Sequence, residues 1–116
     1  MATADPLLTI LFVDISESSK LYRLLGDQHA SRVVADLLDR LAEITHTHEG
    51  TVVDRIGDEL MTLFHEGSSA LKSAIAMQWA ANDFTHEHLP PNSRLTVRIG
   101  LHLSLIHISE PTRQAS

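Results

Sequence analysis

The chain contains no cysteine, which excludes disulfides and thiolate metal sites and gives no sign of an oxidising compartment. Aromatic residues make up only 4% of it, so Trp79 and Tyr22 read as core or interface anchors rather than as platforms for stacking bases. There is no run of lysine or arginine, and 9 basic against 15 acidic residues leave a net charge of −6. Phosphate backbones are held by basic faces, so nucleic acid is not expected as the main partner. A nucleotide held through metal ions is compatible with that charge. No apolar run approaches the roughly 18 residues of a membrane span, and Met1–Pro6 lacks the basic start and apolar centre of a signal segment. A soluble, cytoplasmic domain is expected. With 116 residues, 43% of them hydrophobic, the chain can bury one core and not two.

What is present centres on Gly50–Phe64, GTVVDRIGDELMTLF. Two apolar, β-branched runs, Thr51–Ile56 and Leu60–Phe64, flank Gly57-Asp58. A glycine at the first of two turn positions supplies the positive φ of a type II′ hairpin. The tip is acidic, with Asp58 in the turn, Glu59 after it and Asp54 on the incoming strand. Before the hairpin, Leu7–Val13 is a nearly continuous apolar run ending at Asp14, as expected of a strand buried on both faces. Ser16, Ser18 and Ser19 offer caps for a helix that runs through Leu21, Tyr22, Leu24 and Leu25 to Gly26. A second helix starts at Asp27, carries Val33, Val34, Leu37, Leu38, Leu41 and Ile44 on one stripe, and is closed by Gly50. After the hairpin, Gly67-Ser68-Ser69 caps a third helix with Ala70, Ala74, Met77, Ala81 and Phe84 inward and Leu71 and Ile75 widening that face. Pro90-Pro91 ends helical structure. Leu95–His102 then alternates, with Leu95, Val97, Ile99 and Leu101 on one side and Thr96, Arg98 and His102 on the other.

Strand, two helices, hairpin, helix, strand is the order of an α+β, ferredoxin-like fold, an antiparallel sheet with helices on one face. In that topology the first strand lies beside the second hairpin strand, so Asp14 arrives next to Asp58. Two carboxylates that close do not both stay ionised without a cation. Mg²⁺ or Mn²⁺ with oxygen ligands, its shell completed by triphosphate oxygens, answers that need. The alternative is local: Asp14 caps the serine-rich helix and Asp58 shapes the turn. The histidine pairs His46/His48 and His86/His88 are spaced i, i+2, without HExxH or any Cys/His pattern, and read as solvated helix ends. Lys20 reads as a surface helix lysine near the proposed site.

LFVDISESSKLYRLLGD, HEGTVVDRIGDELMTLF, ALKSAIAMQ (Ala70–Gln78) and VRIGLH, in this order between Leu8 and His102, together resemble the class III adenylate/guanylate cyclase catalytic domain. The resemblance implies a ferredoxin-like core, a head-to-tail homodimer with active sites at its interface, and two divalent metals (Mg²⁺ or Mn²⁺) per site. It also implies attack of a nucleoside triphosphate's 3′-oxygen on its own α-phosphate, with release of pyrophosphate. Matched position by position, Asp14 and Asp58 are the metal-binding aspartates and the Ile15 carbonyl an additional ligand. Ser16, Glu17, Ser18 and Ser19 fall where backbone amides cradle the triphosphate. Asp54 falls where the base edge is read.

Three departures stand out. The family usually has glycine where this chain has Glu17. Asp54 stands where adenylyl cyclases usually have Lys and guanylyl cyclases Glu, which leaves base preference open, with ATP favoured. After VRIGLH the family continues towards a helix carrying an Asn and an Arg that orient the ribose and stabilise the transition state; this chain reads LSLIHISEPTRQAS. Leu103–Arg113 is similar to translated read-through of a transposase adapter used in DNA library preparation. Residues 103–116 are therefore expected to be a non-native tail, and 1–102 the N-terminal part of a cyclase catalytic domain, a nucleotide cyclase fold left incomplete and inactive by itself. A non-catalytic nucleotide-binding or dimerisation module is the alternative, and a diguanylate cyclase, suggested by RIGDEL, a weaker one.

Overall fold

The computed structural model describes residues 7–105. In chain order it has β1 (Leu7–Ile15), α1 (Ser18–Leu25), α2 (Asp27–Thr47), β2 (Thr51–Ile56), β3 (Glu59–Phe64), α3 (Gly67–Asp83) and β4 (Val97–Leu105). The strands form one antiparallel sheet in the order β2-β3-β1-β4. This is the expected α+β, ferredoxin-like arrangement, with β1 paired on both sides. β1 is not buried on both faces as expected: Phe12, on the side away from the helices, is 37% exposed.

Opposed residues divide the sheet into two faces. Leu11, Val13 and Ile15 of β1, Leu60, Thr62 and Phe64 of β3 and Val97 of β4 are buried on the helix side. Across from them α2 presents Ala30, Val33, Val34, Leu37, Leu38, Leu41 and Ile44, all buried. Burying one such leucine or valine is worth roughly 1.5–3 kcal/mol, so this stripe, rather than propensity, holds the 21-residue helix. Thr9 and Thr62 are polar members of this layer, and the Thr62 Oγ1 donates to the Leu11 carbonyl at 2.9 Å.

The stripe of α3 is narrower than expected. Ala70, Ser73, Ala74, Met77 and Ala81 are buried, but Leu71 and Ile75 are each half exposed and do not widen the buried face. Small residues let α3 lie close to β1 and β4, so only a thin line of its surface is covered. Trp79 points outward at 67% exposure and is not a core anchor; Tyr22 packs partly against the core. β4 starts at Val97 rather than at Leu95; Leu95, just before it, and Val97 are buried while Leu101 and Leu103 are exposed, so the alternation is half-buried only over its first part.

Neither serine-rich start is capped as expected. The N-cap of α1 is Glu17, and that of α3 is Glu66; neither makes a side-chain capping bond. Gly50 does not turn the chain at the end of α2, since the left-handed residue there is Glu49. Gly50 is instead required by contact: a Cβ at this position would lie 2.4 Å from Cε2 of Phe64. His46 and His48 lie at the end of α2 as expected, but the pair His86/His88 differs from expectation. His86 lies in the loop after α3 with only 8% of its side chain exposed, its Nε2 2.7 Å from Asp36 Oδ2. His88 stacks on His29 of α2 at 4.0 Å. These contacts pin the connection from α3 to β4 across α2. β4 continues to Leu105, which pairs with Leu7; residues 106–116 of the expected tail lie outside the described residues. Among the described residues no helix is long and apolar enough to cross a membrane.

Candidate active site

The end of β1 and the tip of the β2–β3 hairpin meet because β1 and β3 are antiparallel neighbours. Asp14 lies opposite Glu59, and the Ile15 amide donates to the Asp58 carbonyl at 3.3 Å. Gly57 at φ +58°, with Asp58 on the ordinary side of the φ map, makes the turn glycine-first as expected. The end of β1 that carries Asp14 and the turn that carries Asp58, 44 positions apart in the sequence, are thus joined by the Ile15–Asp58 backbone hydrogen bond.

The segment after Ile15 turns directly into α1. Glu17 occupies the left-handed region at φ 56°, ψ 38°, a conformation that costs a non-glycine residue roughly 1–2 kcal/mol. This is a physical reason for glycine at this position. Ser18 then donates its hydroxyl hydrogen bond to Oδ2 of Asp58. Of the four amides expected to form a cradle, that of Ser16 is already committed, donating to the Thr96 carbonyl at 2.9 Å. The amides of Glu17, Ser18 and Ser19 donate to no acceptor among the described residues. They are the open donors at the start of α1. Lys20 and Glu17 form an exposed 3.9 Å pair, of the kind worth little in water.

On the helix-free face, side chains stand in cross-strand rows. One row is Ile56, Glu59, Asp14 and Arg98; the next is Asp54, Met61, Phe12 and Gly100. Asp54 therefore shares the face of Asp14 but sits two strands away and one row along. It reaches that face through a bulge. Val52 pairs with Thr62 of the helix side, the register shifts at Val53, and Asp54 pairs with Met61 of the open side. In a regular strand Val52 and Asp54, two positions apart, would point the same way. Phe12, Asp54, Ile56, Glu59 and Met61 line a shallow hollow of about 70 Å³. A larger one, about 660 Å³, opens on the helix side with Ser18, Ser19, Gly57 and Asp58 on its wall. Asp14 is not on that wall, so only the Asp58 half of the site adjoins it.

Arg98 was not among the residues expected at the site. It stands directly opposite Asp14 on β4 and meets both carboxylate oxygens, Nε to Oδ1 at 3.2 Å and Nη2 to Oδ2 at 3.1 Å. This hydrogen bond, and then the Asp14 charge, raise the guanidinium pKa above its ordinary value, with a smaller contribution from Asp58. Strand alternation had placed Arg98 on the polar side of β4; the β1–β4 register, which decides its partner, has no local signal in the sequence.

Among the described residues no three His, Cys, Asp or Glu side chains are arranged to hold a metal ion. Two carboxylates and a backbone carbonyl do fit a magnesium-type ion, which binds through one or two carboxylates and takes its other ligands from water and phosphate. A cation, the Arg98 guanidinium, already lies against the Asp14 carboxylate.

Residues 2–109 match the family described as the adenylate and guanylate cyclase catalytic domain. The chain belongs to this family. No curated protein matches it. Among solved structures it is similar to adenylate cyclases from Trypanosoma brucei in their monomeric state (18% identity, TM-score 0.75, 93% of this chain and 61% of that one). It is also similar to the adenylyl cyclase CyaB from P. aeruginosa (21%, 0.67, 89% and 58%). A third is the guanylate cyclase domain of RhGC from Catenaria anguillulae in complex with GTP (16%, 0.73, 88% and 58%). At these identities the likeness is one of fold, and the chain spans 58–61% of the length of these domains.

Proposed function

We propose that this chain carries the metal- and triphosphate-binding part of a class III nucleotidyl cyclase. The parent protein would convert a nucleoside triphosphate to its 3′,5′-cyclic nucleotide and pyrophosphate. The observation that carries this is the meeting of Asp14 and Asp58 beside the open amides of Glu17, Ser18 and Ser19. The carboxylates of Asp14 and Asp58 and the Ile15 carbonyl would hold the two Mg²⁺ or Mn²⁺ ions. When bound, these offset the triphosphate charge and favour the deprotonated 3′-oxygen. The three open amides would then receive phosphate oxygens. Asp54 would face the base edge across Met61 and Phe12. ATP is the first substrate to test and GTP its competitor, because a carboxylate at Asp54 accepts hydrogen bonds from either purine.

The open sheet face also supports a homodimer. Phe12, Val53 and Ile56 are exposed there at 37%, 51% and 67%, and apolar surface gathered beside a site marks an interface. The ribose-orienting Asn and the transition-state Arg implied by the family resemblance have no counterpart in this sequence, and residues 103–116 are proposed to be foreign to the protein. On that reading the 116-residue chain binds Mg²⁺-nucleotide without turning it over. A non-catalytic regulatory module is the second reading, favoured by the acid of Glu17 beside the phosphate-facing amides.

The test is calorimetric binding of a non-cyclisable ATP analogue in the presence of Mg²⁺. Asp14→Asn is expected to weaken binding roughly 10- to 100-fold, at least the loss seen when a ligand's outer-shell partner is removed. Unchanged binding would reject the site. Extending the chain with the remainder of the domain then separates the readings: the enzyme cyclises, the regulatory module only binds.

A further inference from the structure

Arg98 holds both oxygens of a carboxylate that the proposed function assigns to a divalent cation. Its fork makes two near-parallel bonds of 3.2 and 3.1 Å, the geometry in which guanidinium and carboxylate match best. The Arg98 side chain is nevertheless 73% exposed, against 27% for Asp14. Asp14 is also the only acceptor Arg98 has among the described residues. An exposed guanidinium on a long stem, fixed at one point, exchanges readily with water. Its partner strand is different in kind: Asp14 is fixed by β1, paired on both sides. The carboxylate stays in place and the cation can leave.

We propose that Arg98 is a tethered cation that occupies Asp14 when no divalent ion is bound and must leave it before that ion binds. The inference rests on the reading of Asp14 as a metal ligand. Two cations cannot share the same carboxylate oxygens at contact distance without strong repulsion. Occupancy by the guanidinium and by the metal are therefore mutually exclusive, and the chain's own arginine sets how tightly the empty site takes up metal. The device also keeps Asp14 from facing Asp58 and Glu59 as an uncompensated charge while the site waits for its ligand. Arg98 is a positioning residue in this role, acting through the carboxylate.

The experiment is Mn²⁺ binding to the 116-residue chain without nucleotide, followed by the electron paramagnetic resonance signal of free Mn²⁺. Arg98→Gln is expected to tighten binding about two- to five-fold, the range of an exposed ion pair released from competition. Arg94→Gln removes the same charge from a position that does not touch Asp14 and is expected to leave the affinity unchanged. Equal tightening by both variants would assign the effect to net charge and overturn the proposal, as would no tightening by Arg98→Gln. Asp14→Asn separates the two levels: if it binds Mn²⁺ as the parent chain does, the metal site itself is rejected. A second readout follows the Arg98 Nε–H resonance of ¹⁵N-labelled protein during a Mg²⁺ titration. It is expected to move with the same midpoint as binding; a resonance unmoved at saturation overturns the displacement.

Discussion

Ser18 donates a hydrogen bond to Asp58 across 40 residues of sequence, tying the start of α1 to the hairpin tip. The bond connects the two halves of the proposed site: the helix that presents open amides and the turn that presents a carboxylate. It also fixes one Asp58 oxygen, leaving the other to a second partner.

Ser18→Ala should lose about 1.5–3 kcal/mol in chemical denaturation, the range of a hydrogen bond to a charged group. Asp58→Asn should lose a similar amount. The double variant should lose less than the sum of the two, a non-additivity that a double-mutant cycle measures directly.

Glu17→Gly should stabilise the chain by up to about 1 kcal/mol. Relief of the left-handed conformation outweighs the added entropy of the unfolded glycine. The same change removes a negative charge from beside the open amides and should tighten Mg²⁺-nucleotide binding. Denaturant midpoints and calorimetry check the two effects separately.

Gly50→Ala should destabilise by about 1–3 kcal/mol, the cost of forcing one extra carbon into a packed core. The added Cβ meets the Phe64 ring at 2.4 Å, and Phe64 is fully buried between β1, α2 and α3. Combining Gly50→Ala with Phe64→Leu should recover part of the loss, because the smaller side chain vacates the contact.

His86→Ala should cost about 1–2 kcal/mol, since it removes a largely buried ring and leaves Asp36 without its partner. The loss should be seen first as faster amide hydrogen exchange over the 84–96 connection, which the His86–Asp36 and His88–His29 contacts hold against α2.

How far the sequence could be read depended on whether the deciding interaction was local. Strands and helices followed from periodicity: the Val33–Ile44 stripe, the apolar run to Asp14 and the Gly57 turn are each written within a few residues. The approach of Asp14 to Asp58 was also legible, because one topology joins the elements and that topology pairs β1 with β3. Arg98 was hidden for the opposite reason. Its partner is set by the β1–β4 register, and that register depends on how the 84–96 connection crosses α2. The left-handed backbone at Glu17 was not legible either, because no turn residue in the sequence marks it. Leu71 and Ile75 misled because apolar residues beside a helical stripe need not be covered when the stripe is made of alanine. The helix caps failed because the serines miss the cap positions, which Glu17 and Glu66 occupy, and Ser18 donates to Asp58 instead of accepting from an amide.

The bulge at Val53 gives β2 a property that its composition does not. Which residue looks across the open face is decided there by how the extra residue is taken up, since a residue paired regularly exchanges the two sides for everything beyond it and a bulged one does not. Substitution at Asp54 alters what is presented to a base; pairing Val53 regularly, with no bulge, would turn Asp54 to the helix side and present Val53 in its place. Variation by single-residue insertion and deletion along β2 would therefore reach a set of recognition surfaces that no series of point replacements can sample.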